Sequence, residues 1–246
     1  MSIDKSPEEV AGIGIRLEEL TQRGAARRDI LRAMMASGMM SMTGAGLLAM
    51  SGQALAQEKP KQGGKIRVAT QSSSATDTLD PAKGAVSTDY VRANMLYNGL
   101  TEYDSHLGAQ MALAQSIDTK DATVWVVKLR NGVQFHDGKA LTPADVVWSL
   151  TRHKDPAVAS KAKTLADQFK DVKATGPSEV TITLQGANAD LPVILADSHF
   201  LIIKDGTSDF KTAVGTGPFK LKDFAPGVRT VVVRNEHYWK PGLPHL

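Results

Sequence analysis

Residues Arg130–Ser149 read RNGVQFHDGKALTPADVVWS, and the reading of this stretch decides the fold. His136-Asp137 beside Gly138 suggests an imidazole oriented by a carboxylate, as in Ser-His-Asp hydrolases. Adjacent residues of an extended chain point to opposite faces, so Asp137 is poorly placed to orient His136. Asp-Gly is also an ordinary turn pair. A helix start follows at once. Thr142 is a natural N-cap, Pro143 suits the first helical position, and Asp145 can close a capping box or complement the helix dipole. Val146, Val147 and Leu150 give the helix its apolar face. His136 and Asp137 are therefore expected to be scaffolding rather than chemistry.

Working outward, Val124–Val127 with Trp125 reads as a strand, Asn131-Gly132 as a turn, and Val133 and Phe135 as the start of a second strand. KIRVAT, residues 65–70, alternates apolar and charged side chains, the period of another strand. Residues 71–87 are small and polar with Pro81 and Gly84, which makes a loop. A helix follows, with Thr88 as N-cap, Val91, Met95 and Leu96 on one face, and Gly99 near its exit. Downstream we expect a helix around Ala159–Gln168, a strand in EVTITL, a short helix in DLPVILADS and a buried strand in FLIIK. GPFKLKDF and RTVVVRN should pair as a hairpin across Pro226-Gly227. Strands and helices in this irregular order define a mixed α/β or α+β fold class.

The 246 residues carry a formal net charge of +3 and contain no cysteine. Disulfides, thiolate zinc sites, Cys nucleophiles and a lipid-modified Cys are thereby excluded. Lys and Arg are scattered rather than striped, so no nucleic-acid partner is expected. None of the six histidines lies within four residues of another, so the helical His pair of a catalytic zinc site is missing. There is no Gly-x-Ser-x-Gly elbow and no phosphate loop; GTGPF at 215–219 is a turn into a strand. No catalytic constellation, metal site or cofactor is expected.

The N-terminus reads as an address. Arg27 and Arg28 precede a charge-free run, Ala33–Met50, which ends near Ala54-Leu55-Ala56, a small-x-small cleavage pattern. Gly, Ser and Thr dilute the run below the about 20 predominantly apolar residues of a membrane anchor. It resembles a twin-arginine signal peptide covering residues 1–56, cleaved after Ala56, with the twin-arginine translocase as a transient partner and the periplasm as destination. Residues 57–64 form a polar linker, leaving 65–246 as the folded part.

Six motifs in order carry a wider resemblance. GGKIRVAT, DTLDPAKG, MLYNGLTEYD, the run from Trp125 to Pro156, VTITL, and GTGPFKLKDFAPGVRTVVVRNEHYWKPGLPHL are similar to the family 5 extracellular solute-binding proteins. These are dipeptide-, oligopeptide- and nickel-binding components of bacterial ABC importers. The resemblance implies a periplasmic binding protein fold of type II, with 65–246 as an incomplete first lobe and the second lobe absent. It implies capture of a small, peptide-like solute for ABC permease subunits, with no catalysis. By position, the cleft-facing candidates are Ser73, Ser74, Thr76, the turn at Lys83-Gly84, Ser198-His199 and Thr216. A non-functional fragment of such a protein, or an unrecognised secreted hydrolase, is the alternative.

Overall fold

Gly132 takes a φ of 77° and Gly138 one of 81°, left-handed conformations that cost glycine little, so both turns form where the sequence puts them. Between the turns the chain folds on itself. The Phe135 N–H donates to the Lys139 carbonyl and the Gly138 N–H to that of Phe135. The expected second strand is thereby reduced to one bridge between Gln134 and Ala140. Val133 and Phe135 are buried as their alternation implies. Burial periodicity reports which face is inside; it does not supply a neighbouring strand to pair with.

The computed structural model describes residues 62–246. The signal-peptide reading, with Arg27, Arg28, Ala54 and Ala56, lies outside them, as does most of the proposed linker.

The main sheet has four antiparallel strands in the order β3-β4-β6-β5. They are β3 (Ala114–Thr119), β4 (Val124–Leu129), β5 (Phe169–Gly176) and β6 (Glu179–Leu184). Trp125, Val127 and Leu129 alternate inward on β4, and Val180, Ile182 and Leu184 on β6. This is the pattern of an antiparallel sheet with one face wet. The inner face packs on Val146 and Leu150, with Phe200 and Ile202 completing the core. Each fully buried large apolar side chain is worth roughly 1.5–3 kcal/mol relative to exposure. Val146 and Leu150 belong to the helix expected from the opening stretch, Pro143–Thr151. Its capping box forms: the Asp145 carboxylate accepts from the Thr142 N–H at 2.7 Å and also from the Thr142 hydroxyl. The other carboxylate oxygen accepts the Asp205 N–H at 2.8 Å, so the cap also fastens a distant loop.

An earlier helix, α1 (Ser87–Leu96), lies against the hairpin of β7 (Phe219–Ala225) and β8 (Arg229–Arg234), the hairpin expected at Pro226-Gly227. Between them sits a second apolar cluster of Leu79, Ala93, Leu96, Tyr97, Leu201, Ile203 and Ala213. The helix of residues 143–151 is α2; among the described residues the remaining α-helices are α3 (Lys163–Ala166) and α4 (Leu191–Ile194). A short hairpin, β1 (Thr101–Tyr103) with β2 (Ala109–Met111), completes the fold.

Several expectations are corrected. KIRVAT is not a strand: Ile66 and Val68 are 67% and 71% exposed, and residues 65–70 pair with no strand among the described residues. Alternation marks a potential face, and only a hydrogen-bonded neighbour makes it a strand. FLIIK is buried but extended, with a single bridge from Ile202 to Asn98. The helix expected over Ala159–Gln168 shrinks to α3, because Ala159 sits at φ 51° and the chain re-enters the sheet at Phe169. Thr88 is inside α1 rather than capping it, and its hydroxyl donates to the Ser72 carbonyl. The entry is closed instead by Asp89, which accepts the Ala85 N–H at 3.2 Å. Val91 is exposed, and α1 turns Thr88, Asp89, Arg92, Ala93 and Leu96 inward.

Candidate ligand-facing site

The loop from Ser72 to Gly84 is built on carboxylates. Asp77 accepts from the Ser73 hydroxyl at 2.8 Å, the Ser74 N–H at 2.9 Å and the Gly227 N–H at 3.3 Å. It also pairs with Arg92 at 2.8 Å. Burial pushes its carboxyl upward, but these donors outweigh that and hold it at about 2. Arg92 reaches further, to Asp89 and to the Thr230 hydroxyl, and lies over the Phe224 ring. One buried cation thus ties the loop, α1 and the β7–β8 hairpin together. Ser73, Ser74 and Thr76 stay exposed on the rim, with the hydroxyls of Ser74 and Thr76 2.8 Å apart.

Asp80 next caps the one-turn 3-10 helix Pro81–Lys83 by accepting the Ala82 N–H. Its two oxygens also take both terminal nitrogens of Arg152, at 2.8 and 2.9 Å. This turn presents Lys83 to solvent and buries Gly84. Against it packs a second turn, Ser198–Phe200, capped by Asp197. His199 Nε2 donates to the Gly84 carbonyl at 3.0 Å, while Nδ1 sits 2.6 Å from the Asp197 carboxylate. The hydrogen bond its Nδ1–H donates to Asp197 is the main reason the imidazole holds its proton above the ordinary 6.5. Asn94 donates to the Ser198 hydroxyl at 2.9 Å.

Gly84, Ser198 and His199 meet α1 through Tyr90 and Asn94, and Ser73 and Ser74 are tied to it through Asp77 and Arg92, with Thr76 and Lys83 on the same loop. Thr216 is not among them. It is fully buried beyond the C-terminal end of α1, where its hydroxyl donates to Asn98. The sequence reading missed Tyr90, Asn94 and Asp197. Their signals were present: Tyr90 and Asn94 stand one helical turn apart, and Asp197 precedes Ser198-His199 as an N-cap.

His136 takes the structural role expected of it. Its Nδ1 accepts the Gly215 N–H at 3.2 Å and its Nε2 donates to the Gly217 carbonyl at 3.1 Å, an assignment fixed by the partners. Burial is the chief reason the ring titrates below 6.5 and stays neutral for this task. Asp137 bonds the Lys139 N–H and pairs with Lys204, away from the ring. Among the described residues no three His, Cys, Asp or Glu side chains are grouped to hold a metal ion. No helix among them is long and apolar enough to cross a membrane.

The lobe and its rim loops define a class of fold, that of the periplasmic binding proteins. The described residues superpose on oligopeptide-binding AppA from Bacillus subtilis in complex with a nonapeptide, with a TM-score of 0.66 and 27% identity over 73% of this chain and 38% of that one. A nickel ABC transporter protein from Bacillus halodurans gives a TM-score of 0.59 at 30% identity, over 68% of this chain and 34% of that one. In sequence the chain is 30% identical to AppA over 201 residues, 76% of this chain and 36% of AppA. It is 32% identical to the glutathione-binding protein GsiB of Escherichia coli strain K12, over 69% of this chain and 34% of GsiB. Residues 108–246 match the model described as bacterial extracellular solute-binding proteins, family 5 middle, and the chain belongs to that family. The matched part spans about a third of these curated relatives' length. The relatives are named for binding, not for a reaction.

Proposed function

We propose that this chain supplies one wall of a solute-binding cleft in an ABC import system, and that its solute is peptide-like. The supporting observation is the rim around α1. The exposed hydroxyls of Ser73, Ser74 and Thr76, the Lys83 ammonium and the Ser198 hydroxyl stand on turns anchored by the buried pairs Asp77–Arg92 and Asp80–Arg152 and by the Asp197 cap. Such a rim offers small polar contacts to a solvated ligand carrying amide and carboxylate groups. With a second wall opposite, the cleft would close on the solute by a hinge motion and present it to permease subunits.

Residues 57–246 tested alone offer one wall of the cleft and should bind weakly. Micromolar affinity is worth about 8 kcal/mol, and losing half of the contacts leaves about 4, or roughly millimolar binding. Nuclear magnetic resonance titration of residues 57–246 with glutathione, and with a short peptide such as trialanine, tests this. Shifts should concentrate at Ser73, Ser74, Thr76, Lys83 and Ser198, with saturation only in the millimolar range. Shifts confined to other surfaces, or none at all, would remove these residues from the site.

We also propose that residues 1–56 direct export to the periplasm by the twin-arginine route. A reporter fused after Ala56 should lose export when Arg27 and Arg28 are both replaced by lysine. Unchanged export of that variant would show that the paired arginines are not read.

A further inference from the structure

The Gly84 carbonyl receives two donors from outside its own loop, His199 Nε2 at 3.0 Å and the Tyr90 hydroxyl at 3.4 Å. On its other side the His199 ring faces an Asp197 oxygen at 2.6 Å. A carbonyl and an ionised carboxylate only accept, so both contacts are hydrogen bonds only when both ring nitrogens carry hydrogen. Tyr90 fixes the plane of the ring, edge to face at 5.4 Å between centroids.

We propose that His199 is a pH-sensitive latch on the Lys83-Gly84 turn, fastened as an imidazolium that donates to Asp197 and Gly84 together and released at Gly84 when the ring loses a proton. The functional meaning rests on reading Lys83 and Gly84 as ligand-facing; the latch itself does not. The proton that remains stays on Nδ1, because a hydrogen bond to a carboxylate is roughly twice as strong as one to a neutral carbonyl. Nε2 then turns a lone pair toward the Gly84 oxygen, and the turn keeps only the longer contact from Tyr90. A ring with both partners as placed here is stable at low pH and loses one partner as pH rises, the usual sense for a histidine gaining an acidic neighbour.

The groups around the latch leave His199 as the one that changes charge near neutrality. Tyr90, facing the ring from α1, has its hydroxyl pushed up by burial and stays neutral. His153, on the turn after α2, is pushed down to about 4 by burial and by Arg152, so it too is neutral. Arg152 is paired with Asp80, and Asp89 with Arg92. The hydrogen bond from His199 keeps the Asp197 carboxyl below its usual range. Lys83 is exposed beside Gly84.

The test is a pH titration of the isotopically labelled full chain, reading the His199 ring and the Gly84 and Ala85 amides without any solute. The ring and both amides should share one midpoint above 6.5, the ordinary histidine value. Above it the proton should reside on Nδ1. Asp197→Asn should lower the midpoint, and His199→Gln should flatten the amide transition. Amides that stay flat while the ring titrates, a ring midpoint at or below 6.5, or a proton on Nε2 at high pH would each overturn the latch. If His199→Gln does not fold, the wild-type and Asp197→Asn curves decide alone. A failed solute titration leaves this result intact, and a failed latch leaves solute binding at the rim untouched.

Discussion

Replacing Gly215 with alanine is expected to leave little or no folded protein. A Cβ at this position would lie 2.0 Å from the Leu96 carbonyl oxygen and 2.5 Å from Cδ1 of Tyr97. Gly217 is as tight, 2.4 Å from the Leu96 carbonyl carbon. The obstacles are mainly backbone at the C-terminal end of α1, so no rotamer change relieves them. Neither glycine has a positive φ, so the constraint is space and not backbone conformation. The close approach is held by the Gly217 N–H on the Leu96 carbonyl at 3.0 Å, by the His136 ring, and by Asn235 donating to the Gly217 carbonyl at 2.9 Å. Making room means pulling this segment away and breaking several of these bonds. Overpacking costs about 1–3 kcal/mol and each buried group left without a partner a further 1–3, against a total stability of roughly 5–15. Soluble yield and a urea melt measure the outcome. Gly186→Ala is the control, since nothing lies within 4 Å of its added Cβ, and it should stay within about 1 kcal/mol of wild type. A Gly215→Ala protein that melts like the parent would show that the segment is not packed on α1 in this way.

Asp80→Ala should be nearly as damaging, for an electrostatic reason. The side chains of Asp80 and Arg152 are 4% and 7% exposed, and they meet through two parallel hydrogen bonds. Arg152 also stacks over Phe210, at 5.0 Å from the ring centre. Without Asp80 the guanidinium is left buried and unpaired, and it cannot escape by losing its proton. Breaking such a pair costs about 3–5 kcal/mol. Removing both charges should cost less than removing one. Asp80→Ala combined with Arg152→Met should therefore recover part of the loss, and a double-mutant cycle in urea reads the coupling. A single-variant loss below about 1 kcal/mol, or a double variant worse than the sum of the singles, would mean the pair is solvated and not buried.

Much of the chain was readable where the deciding bonds are local. The Thr142–Asp145 cap spans three residues, the Gly138 turn closes over the same span, and the Pro226-Gly227 hairpin brings together runs already adjacent in sequence. His136-Asp137 lies in a turn rather than an extended strand, and the partners that occupy the His136 ring, Gly215 and Gly217, are far away in sequence. Six motifs in fixed order were enough to indicate the family. The rim was legible only as a set of positions.

Tertiary structure decided the rest, because the partners lie far apart along the chain. Arg92 looks like a solvated helix residue until Asp77 and Thr230 are brought to it, and only then does α1 bury a polar face. KIRVAT has the alternation of a half-buried strand and FLIIK the continuous apolar run of a buried one, yet only RTVVVR forms a ladder. What separates them is whether another segment stands beside them to complete a ladder, which no alternation in their own residues specifies. Gly215 and Gly217 read as turn residues, while their actual constraint is the carbonyl of Leu96. His199 acquires its two partners from one neighbour in sequence, Asp197, and one more than a hundred residues away, Gly84. The sequence by itself determined the turns, caps and burial periodicity, which depend on a few adjacent residues; pairing, charge burial and close backbone approach depend on which distant segments meet, and only the folded chain contains that.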